Sequence, residues 1–129
     1  MRRFFAECYR VLRPGSITIH SFLSAQPTNR KQRRLLVADS DPKWTTTPPA
    51  EWFSPPDRLA IDYLKLAGFS RTRKHRLRSG LVIRSEAARA LLKDWGVKRS
   101  YWVSHQEELE EEGLEIPDWI IIDGIRAGN

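Results

Sequence analysis

The chain has 129 residues and a mass of 15.0 kDa, with 40% hydrophobic and 29% charged residues and a formal net charge of +6. This length allows one modest core, and the composition is too apolar for a disordered protein. No apolar run approaches the roughly 20 residues of a membrane span, and the amino terminus lacks the features of a secretory signal. We expect one cytoplasmic domain without membrane contact, in which Cys8, the lone cysteine, is a structural thiol.

Charge is distributed unevenly along the chain. Residues 1–85 carry 17 Lys and Arg against 6 Asp and Glu, whereas residues 86–129 carry 5 against 10. A basic excess of this kind can mark nucleic-acid binding, but an acidic partner within the same chain explains it more simply. We therefore expect the two parts to attract each other and do not expect nucleic acid to be a partner.

The first elements form half of an alternating α/β unit. Apolar residues recur at three- and four-residue spacing over residues 2–12, which predicts an amphipathic helix. Pro14 and Gly15 end it, because proline cannot continue the hydrogen-bond ladder and glycine accepts a left-handed turn. Residues 16–22 are rich in β-branched and aromatic side chains and predict a strand.

The middle of the chain has a less regular pattern. Residues 23–53 combine prolines with a basic cluster and predict a long loop, which in a compact domain is usually functional or mobile. Ser54 is the predicted cap of a second helix that Gly68 ends. A second strand is predicted over residues 69–77, and residues 81–83 either extend it or pair back onto it.

The last third predicts two helices and a strand. Ser85 is the predicted cap of a third helix, which Gly96 ends. Ser104 and Glu107 have the spacing of a capping box for a short acidic helix. The unbroken apolar run in residues 119–125 predicts a strand that is buried on both faces.

Two segments resemble the late part of class I S-adenosylmethionine-dependent methyltransferases of the type 11 kind. Residues 7–15, ECYRVLRPG, followed by SITIHSF, resemble the helix ending in R-V-L-K-P-G-G that leads into the family's fifth strand, with Ser16 in place of the second glycine. Residues 60–69, AIDYLKLAGF, resemble the helix that closes with A-G-F before the sixth strand. In that family the last strand enters antiparallel between those two, and residues 118–126, DWIIIDGIR, are the candidate for it.

The resemblance implies an α/β fold, namely the C-terminal part of a Rossmann-like methyltransferase sheet with about three strands, an antiparallel last strand and flanking helices. Residues 1–129 would form a single partial domain, with residues 85–117 a helical insertion or cap. The family holds S-adenosylmethionine in a glycine-rich turn after its first strand, and no G-x-G occurs here. We expect a truncated methyltransferase that is not competent alone and binds no cofactor, whereas the intact enzyme methylates a small molecule.

Four residues are candidates for substrate contact. Ligands in open α/β sheets bind beyond the carboxyl ends of the strands, so His20 and Ser21 are expected at the rim of a crevice. His20 is also the candidate for a catalytic base, with a histidine packed at a strand end as the alternative. Trp44 and Trp52 lie in the long loop and cover either a substrate or the core. The other histidines lack neighbours at metal-ligand spacing, so no metal site is expected.

Several alternatives remain open. The basic residues of 71–78 either protect an edge strand or contact an anion, and the acidic helix over 107–112 is a candidate partner for them. The rival to an enzyme fragment is a stand-alone basic module for nucleic acid or a protein, and a third possibility is a complete small methyltransferase with an unusual cofactor site. A fragment is expected to self-associate through the unpaired edge of its first strand, whereas a module is expected to be monomeric.

Overall fold

The computed structural model describes residues 2–46 and 57–128, without the side chain of Asp57, and shows a mixed α/β chain. The helices described are α1 (Arg2–Val11), α2 (Arg30–Ser40), α3 (Asp57–Leu66), α4 (Ser85–Asp94), α5 (Arg99–Ser104) and α6 (Gln106–Glu111). The strands described are β1 (Ile17–Leu23), β2 (Ser70–Leu77), β3 (Val82–Ile83), β4 (Leu114–Glu115) and β5 (Trp119–Ile125). None of these helices combines the length and apolar character that crossing a bilayer requires.

The chain divides into two compact units. Unit 1 contains the described residues of 2–25, 57–77 and 119–128, and unit 2 contains those of 26–46 and 78–118. Unit 2 therefore includes all of the segment expected as a helical insertion, together with α2 and β3. The assignment of both units to a single methyltransferase domain stays a prediction.

Unit 1 is built on a three-stranded sheet in the order β1-β5-β2. β5 is antiparallel to both neighbours, so β1 and β2 run parallel to each other. The register of β1 is continuous from Ile17 opposite Ile125 to Leu23 opposite Trp119. The register of β2 shifts between Ser70 and Arg73. The expected α/β architecture, with three strands, an antiparallel last strand and flanking helices, is confirmed.

Helices α1 and α3 cover one face of this sheet. Ile120 and Ile122 of β5 are fully buried on that face, in a cluster with buried residues from both helices and with Phe69, which directly precedes β2. Gly124 continues the same face, and a Cβ at this position would lie 3.0 Å from the Cβ of Phe69. The close approach of Phe69 therefore favours a glycine at this position of the strand.

The opposite face of the sheet is exposed only in part, because on β5 Ile121 and Ile125 are half-buried and Asp123 is buried. Ile17 and Ile19 of β1 are 60% and 67% exposed, and Trp119 of β5 is 45% exposed. The prediction that β5 is buried on both faces is confirmed for the face under α1 and α3, and on the other face it fails at Trp119. Within the described residues β1 pairs with β5 alone, so its other edge has no strand partner.

Unit 2 packs four helices and a short two-stranded sheet around its own core. The core residues are Leu35, Ala38, Ala88, Leu92, Val97, Tyr101, Leu109 and Leu114. The prediction that residues 23–53 form a loop is wrong over α2. The side chain of Asn29 caps this helix by accepting a hydrogen bond from the Gln32 amide at 2.9 Å. Its buried face includes Gln32 and Arg34, which hide the apolar periodicity in the sequence.

Three further predictions for this region are wrong. Ser85 is the first residue of α4 and not its cap, since Arg84 is the N-cap. Ser104 ends α5, its hydroxyl donates to the Ser100 carbonyl at 2.8 Å, and no side chain caps α6. β3 neither extends β2 nor pairs with it, because it pairs with β4 in a separate sheet.

The acidic helix α6 binds arginines of α2, and the ion pairs described do not link it to β2. The Arg34 side chain is 7% exposed, its Nη2 lies 2.8 Å from Glu112 Oε2, and its Nη1 donates to the Gly113 carbonyl at 2.7 Å. Glu108 lies 3.6 Å from the same guanidinium. The hydrogen bond from Arg34 lowers the pKa of Glu112. An acidic partner within the chain thus accounts for part of the basic excess.

A buried polar network ties the start of α2 to the end of unit 2. Gln32 is fully buried, and its Nε2 donates to Glu115 Oε2 at 2.8 Å and to Asp118 Oδ1 at 2.7 Å. Its Oε1 accepts from the amide and hydroxyl of Thr28, both at 2.9 Å. One amide side chain therefore donates to two buried carboxylates at once.

Changing Gln32 to Glu tests this network. The substitution keeps the shape of the side chain but replaces the shared donor with a third carboxylate. We therefore expect the free energy of unfolding to fall by about 3 kcal/mol. Urea unfolding followed by circular dichroism measures the change. Gln106 also donates to a carboxylate, Glu110 at 3.2 Å, but is exposed. Gln106→Glu should therefore cost less than about 0.5 kcal/mol, and equal losses for the two variants would contradict the network's role.

Changing Ile19 to Lys tests the exposed strand. An open edge beside exposed apolar side chains favours pairing with a second chain. We therefore expect the wild-type chain to self-associate increasingly as its concentration rises. Ile19→Lys removes an isoleucine that pairing would bury, so the affinity of self-association should fall at least about tenfold. Sedimentation velocity gives the readout. Leu66→Lys on α3 is the matched control, because Leu66 is 68% exposed and lies on a helix. A monomeric wild type, or equal effects of both variants, would refute the prediction.

Candidate functional site

His20 lies in the middle of β1, opposite Ile122, on the face that α1 covers. Its Nε2 is 2.7 Å from Thr18 Oγ1, and its ring makes edge contacts with Phe4 and Phe5, with centroids 5.4 and 4.9 Å apart. Burial lowers the pKa of His20 below its usual 6.5. The imidazole is therefore packed under a helix, three residues before the end of the strand.

Ser21 is exposed on the opposite face from His20, since adjacent residues of a strand alternate. The two neighbouring candidates therefore do not face one ligand from the same side. On the Ser21 face, the register aligns Leu23, Trp119 and Leu77 in a row across the sheet. This apolar row lies at the carboxyl ends of β1 and β2, the end at which open α/β sheets bind ligands. Sequence reasoning missed it because Trp119 was assigned to a buried run.

A polar pair lies at the same end of the sheet, on the face that α1 and α3 cover. Ser24, 1% exposed, follows β1 directly, and its hydroxyl accepts a hydrogen bond from Arg76 Nη2 of β2 at 3.2 Å. Because β1 and β2 are parallel, their carboxyl ends bring these two side chains together across β5. The alternation of basic residues in β2 gave no signal that Arg76 would reach the serine after β1.

Asp123 holds two basic side chains on the exposed face. Its Oδ1 lies 3.1 Å from Arg73 Nε and its Oδ2 lies 3.3 Å from His75 Nε2. A carboxylate beside an imidazole can orient a general base, but a nucleophile must also be within reach. Ser21 is on the same face with Ile121 between it and His75. Two strand spacings, about 10 Å, separate them, so the group is a charge cluster and not a catalytic triad.

Trp44 covers the core of unit 2. Its ring packs on Tyr101 and His105, with centroids 5.3 and 5.5 Å apart, and its carbonyl accepts from the Lys98 amide at 2.6 Å. Burial raises the pKa of Tyr101 to about 12, which fits a phenol beneath this cover. Trp52, the other tryptophan expected over a substrate, lies outside the described residues. The role of both in substrate binding stays a prediction.

The described glycines do not form a cofactor loop. Those with positive φ stand singly at turns and helix ends: Gly15, Gly68, Gly80, Gly96 and Gly113. Backbone amides around a nucleoside or phosphate usually come from closely spaced glycines in one turn. Over the described part of the chain, no group of three or more His, Cys, Asp or Glu side chains is arranged to hold a metal ion.

The stability of the chain should depend on the titration of His20. Its folded-state pKa is lowered, so the unfolded chain binds a proton more readily and stability falls as the pH drops below about 6.5. Urea unfolding at about pH 7.5 and about pH 5 spans the ordinary histidine pKa. His20→Gln and His20→Phe, which do not titrate, should both lose less stability between these two conditions than the wild type. An unchanged loss in both variants would contradict the burial of a neutral ring.

Comparisons with known proteins add no relative to this description. The chain matches no protein-family model, and neither the curated proteins nor the solved structures gave a match.

Proposed function

We propose that unit 1 is the carboxy-terminal part of the sheet of a class I S-adenosylmethionine-dependent methyltransferase, whose intact form transfers a methyl group to a small molecule. The observation that carries the proposal is the strand order β1-β5-β2, with the last strand antiparallel in the middle. The resemblance of the two sequence motifs implied this order for the fifth, last and sixth strands. The packing of α1 and α3 against the sheet also supports the proposal.

The positions of the two motifs support the same proposal. The Arg-Val-Leu-Arg-Pro-Gly segment ends α1 and turns into β1, where the Ser16 amide donates to the Arg13 carbonyl at 3.0 Å. The Ala-Gly-Phe segment lies between α3 and β2. Gly68 has a φ of +110°, and a Cβ there would meet the Tyr9 ring at 3.0 Å. Each motif is thus at a boundary where the family changes from helix to strand.

The acceptor side of the proposal rests on the carboxyl end of the sheet. The apolar row of Leu23, Trp119 and Leu77 offers an aromatic and aliphatic surface there, whereas the bonded Ser24 and Arg76 lie at the same end of the sheet on its other face. Such a surface suits the apolar part of a small molecule. Cofactor binding is assigned to sequence outside the described residues, because they contain no glycine-rich turn after a strand.

Two measurements test the proposal. Isothermal titration of the chain with S-adenosylhomocysteine should release no heat, since the chain lacks the donor loop, and binding together with methyl transfer would instead indicate a complete small enzyme. The coding DNA upstream of the Met1 codon, or a neighbouring gene, should encode a strand followed by a glycine-rich turn. Finding no such segment in either place would contradict the proposal.

A further inference from the structure

A groove of about 560 Å³ lies between α4 and α5 in unit 2. Small-molecule sites usually enclose about 300–1,000 Å³, so the groove has the size of one. The residues that matter for its chemistry are Glu86, Arg89 and Lys93 on α4 with Arg99 and Trp102 on α5. None of them belongs to the sheet of unit 1, and the groove played no part in the sequence predictions.

Arg89 is fixed within this groove by two contacts. Its guanidinium carbon lies 3.5 Å from the centroid of the Trp102 ring, and its Nη1 lies 2.6 Å from Glu86 Oε1. A guanidinium held on an indole in this way is a flat, positively charged surface. A planar ring can stack against such a surface without having to order it first.

Lys93 and Arg99 supply positive charge beside this surface. Lys93 is one helical turn after Arg89, and the Arg99 guanidinium lies 5.5 Å from the Trp102 ring. Both side chains are exposed, and neither has an acidic partner among the residues described. With one carboxylate against three cations, the groove has a net positive charge that attracts an anion.

We propose that this groove binds a small organic anion that carries a planar ring, such as a nucleoside monophosphate. The ring stacks at Trp102 and Arg89, and the anionic group is bound by Lys93 and Arg99. The proposal concerns a site in unit 2 and does not depend on the methyltransferase proposal for unit 1.

The surroundings of Trp102 favour a small anion over a polyanion. Glu110 of α6 lines a second, water-sized cavity against Trp102 and Arg89. The same helix carries the exposed Glu107, Glu108 and Glu111. A nucleic-acid strand that continued past the groove on this side would meet these carboxylates, and like charges repel. A single phosphate group avoids them.

Titration with adenosine monophosphate tests the proposal. We expect saturable one-site binding by calorimetry, weakened at least about tenfold in Lys93→Ala/Arg99→Ala, which loses the charge-assisted contacts. Lys65→Ala/Arg13→Ala is the matched control, because it removes the same two charges from exposed positions in unit 1 and should bind as the wild type does. Circular dichroism confirms that each variant is folded.

A second readout locates the ring. The chain has five tryptophans, and the indole signal that disappears from the NMR spectrum of Trp102→Phe is assigned to Trp102. Adenosine monophosphate should shift this signal more than the other four. Failure to bind, equal affinity in the groove variant, or a shift confined to other indoles would overturn the proposal. If inorganic phosphate bound as tightly as adenosine monophosphate, the ring would play no part in binding and the proposal would be wrong on that point. If an oligonucleotide bound much more tightly and with a strong salt dependence, the ligand would be nucleic acid and not a small anion.

Discussion

The two antiparallel ladders of β5 hold unit 1 together. β1 and β2 do not pair with each other, so the backbone ladder joins each of them to the sheet only through β5. The ladder continues past the strand ends, where the Gly15 amide donates to the Arg126 carbonyl at 2.6 Å and the Arg126 amide donates to the Ser16 carbonyl at 2.9 Å. The last strand therefore positions the turn after α1 as well as the apolar row at the opposite end of the sheet.

Unit 2 depends on a different kind of interaction. Its helices share an apolar core, but α2 is joined to the later segments by buried polar contacts from Gln32 and Arg34. Polar groups inside a protein cost free energy unless every one of them finds a partner. Because Glu115, Asp118 and Glu112 all accept hydrogen bonds from α2, the packing of this helix is specified by hydrogen-bond geometry as well as by shape.

Sequence patterns predicted the elements of unit 1 well. α1 has a clear helical spacing of apolar residues, a Pro-Gly turn follows it, and β1 and β5 are rich in β-branched residues, so local preference and tertiary structure agree. The strand order itself came from the resemblance to a family, since no local pattern specifies which strand lies in the middle. The exposure of Trp119 was not predictable because it depends on what covers the second face.

Unit 2 was predicted less completely, for reasons that particular residues show. The buried positions of α2 include the amide of Gln32 and the guanidinium of Arg34, whose partners are about 80 residues away in sequence. The sequence pattern of this helix therefore predicts a basic loop. α5 has six residues and only Tyr101 buried, which is too short for a periodic signal. The environment of His20 was not predictable for a similar reason. Its orientation toward α1 follows from strand register and not from its position in the sequence.

Amide hydrogen exchange of the dilute chain, resolved by residue, tests most directly whether β5 is the central strand. A central strand bonds on both edges, whereas an edge strand bonds on one, so every second amide of an edge strand is left open. The account predicts slow exchange throughout β5 and alternating slow and fast exchange along β1 and along the regular part of β2. Continuous protection of β1 with alternating protection of β5 would contradict this strand order and the proposal that depends on it.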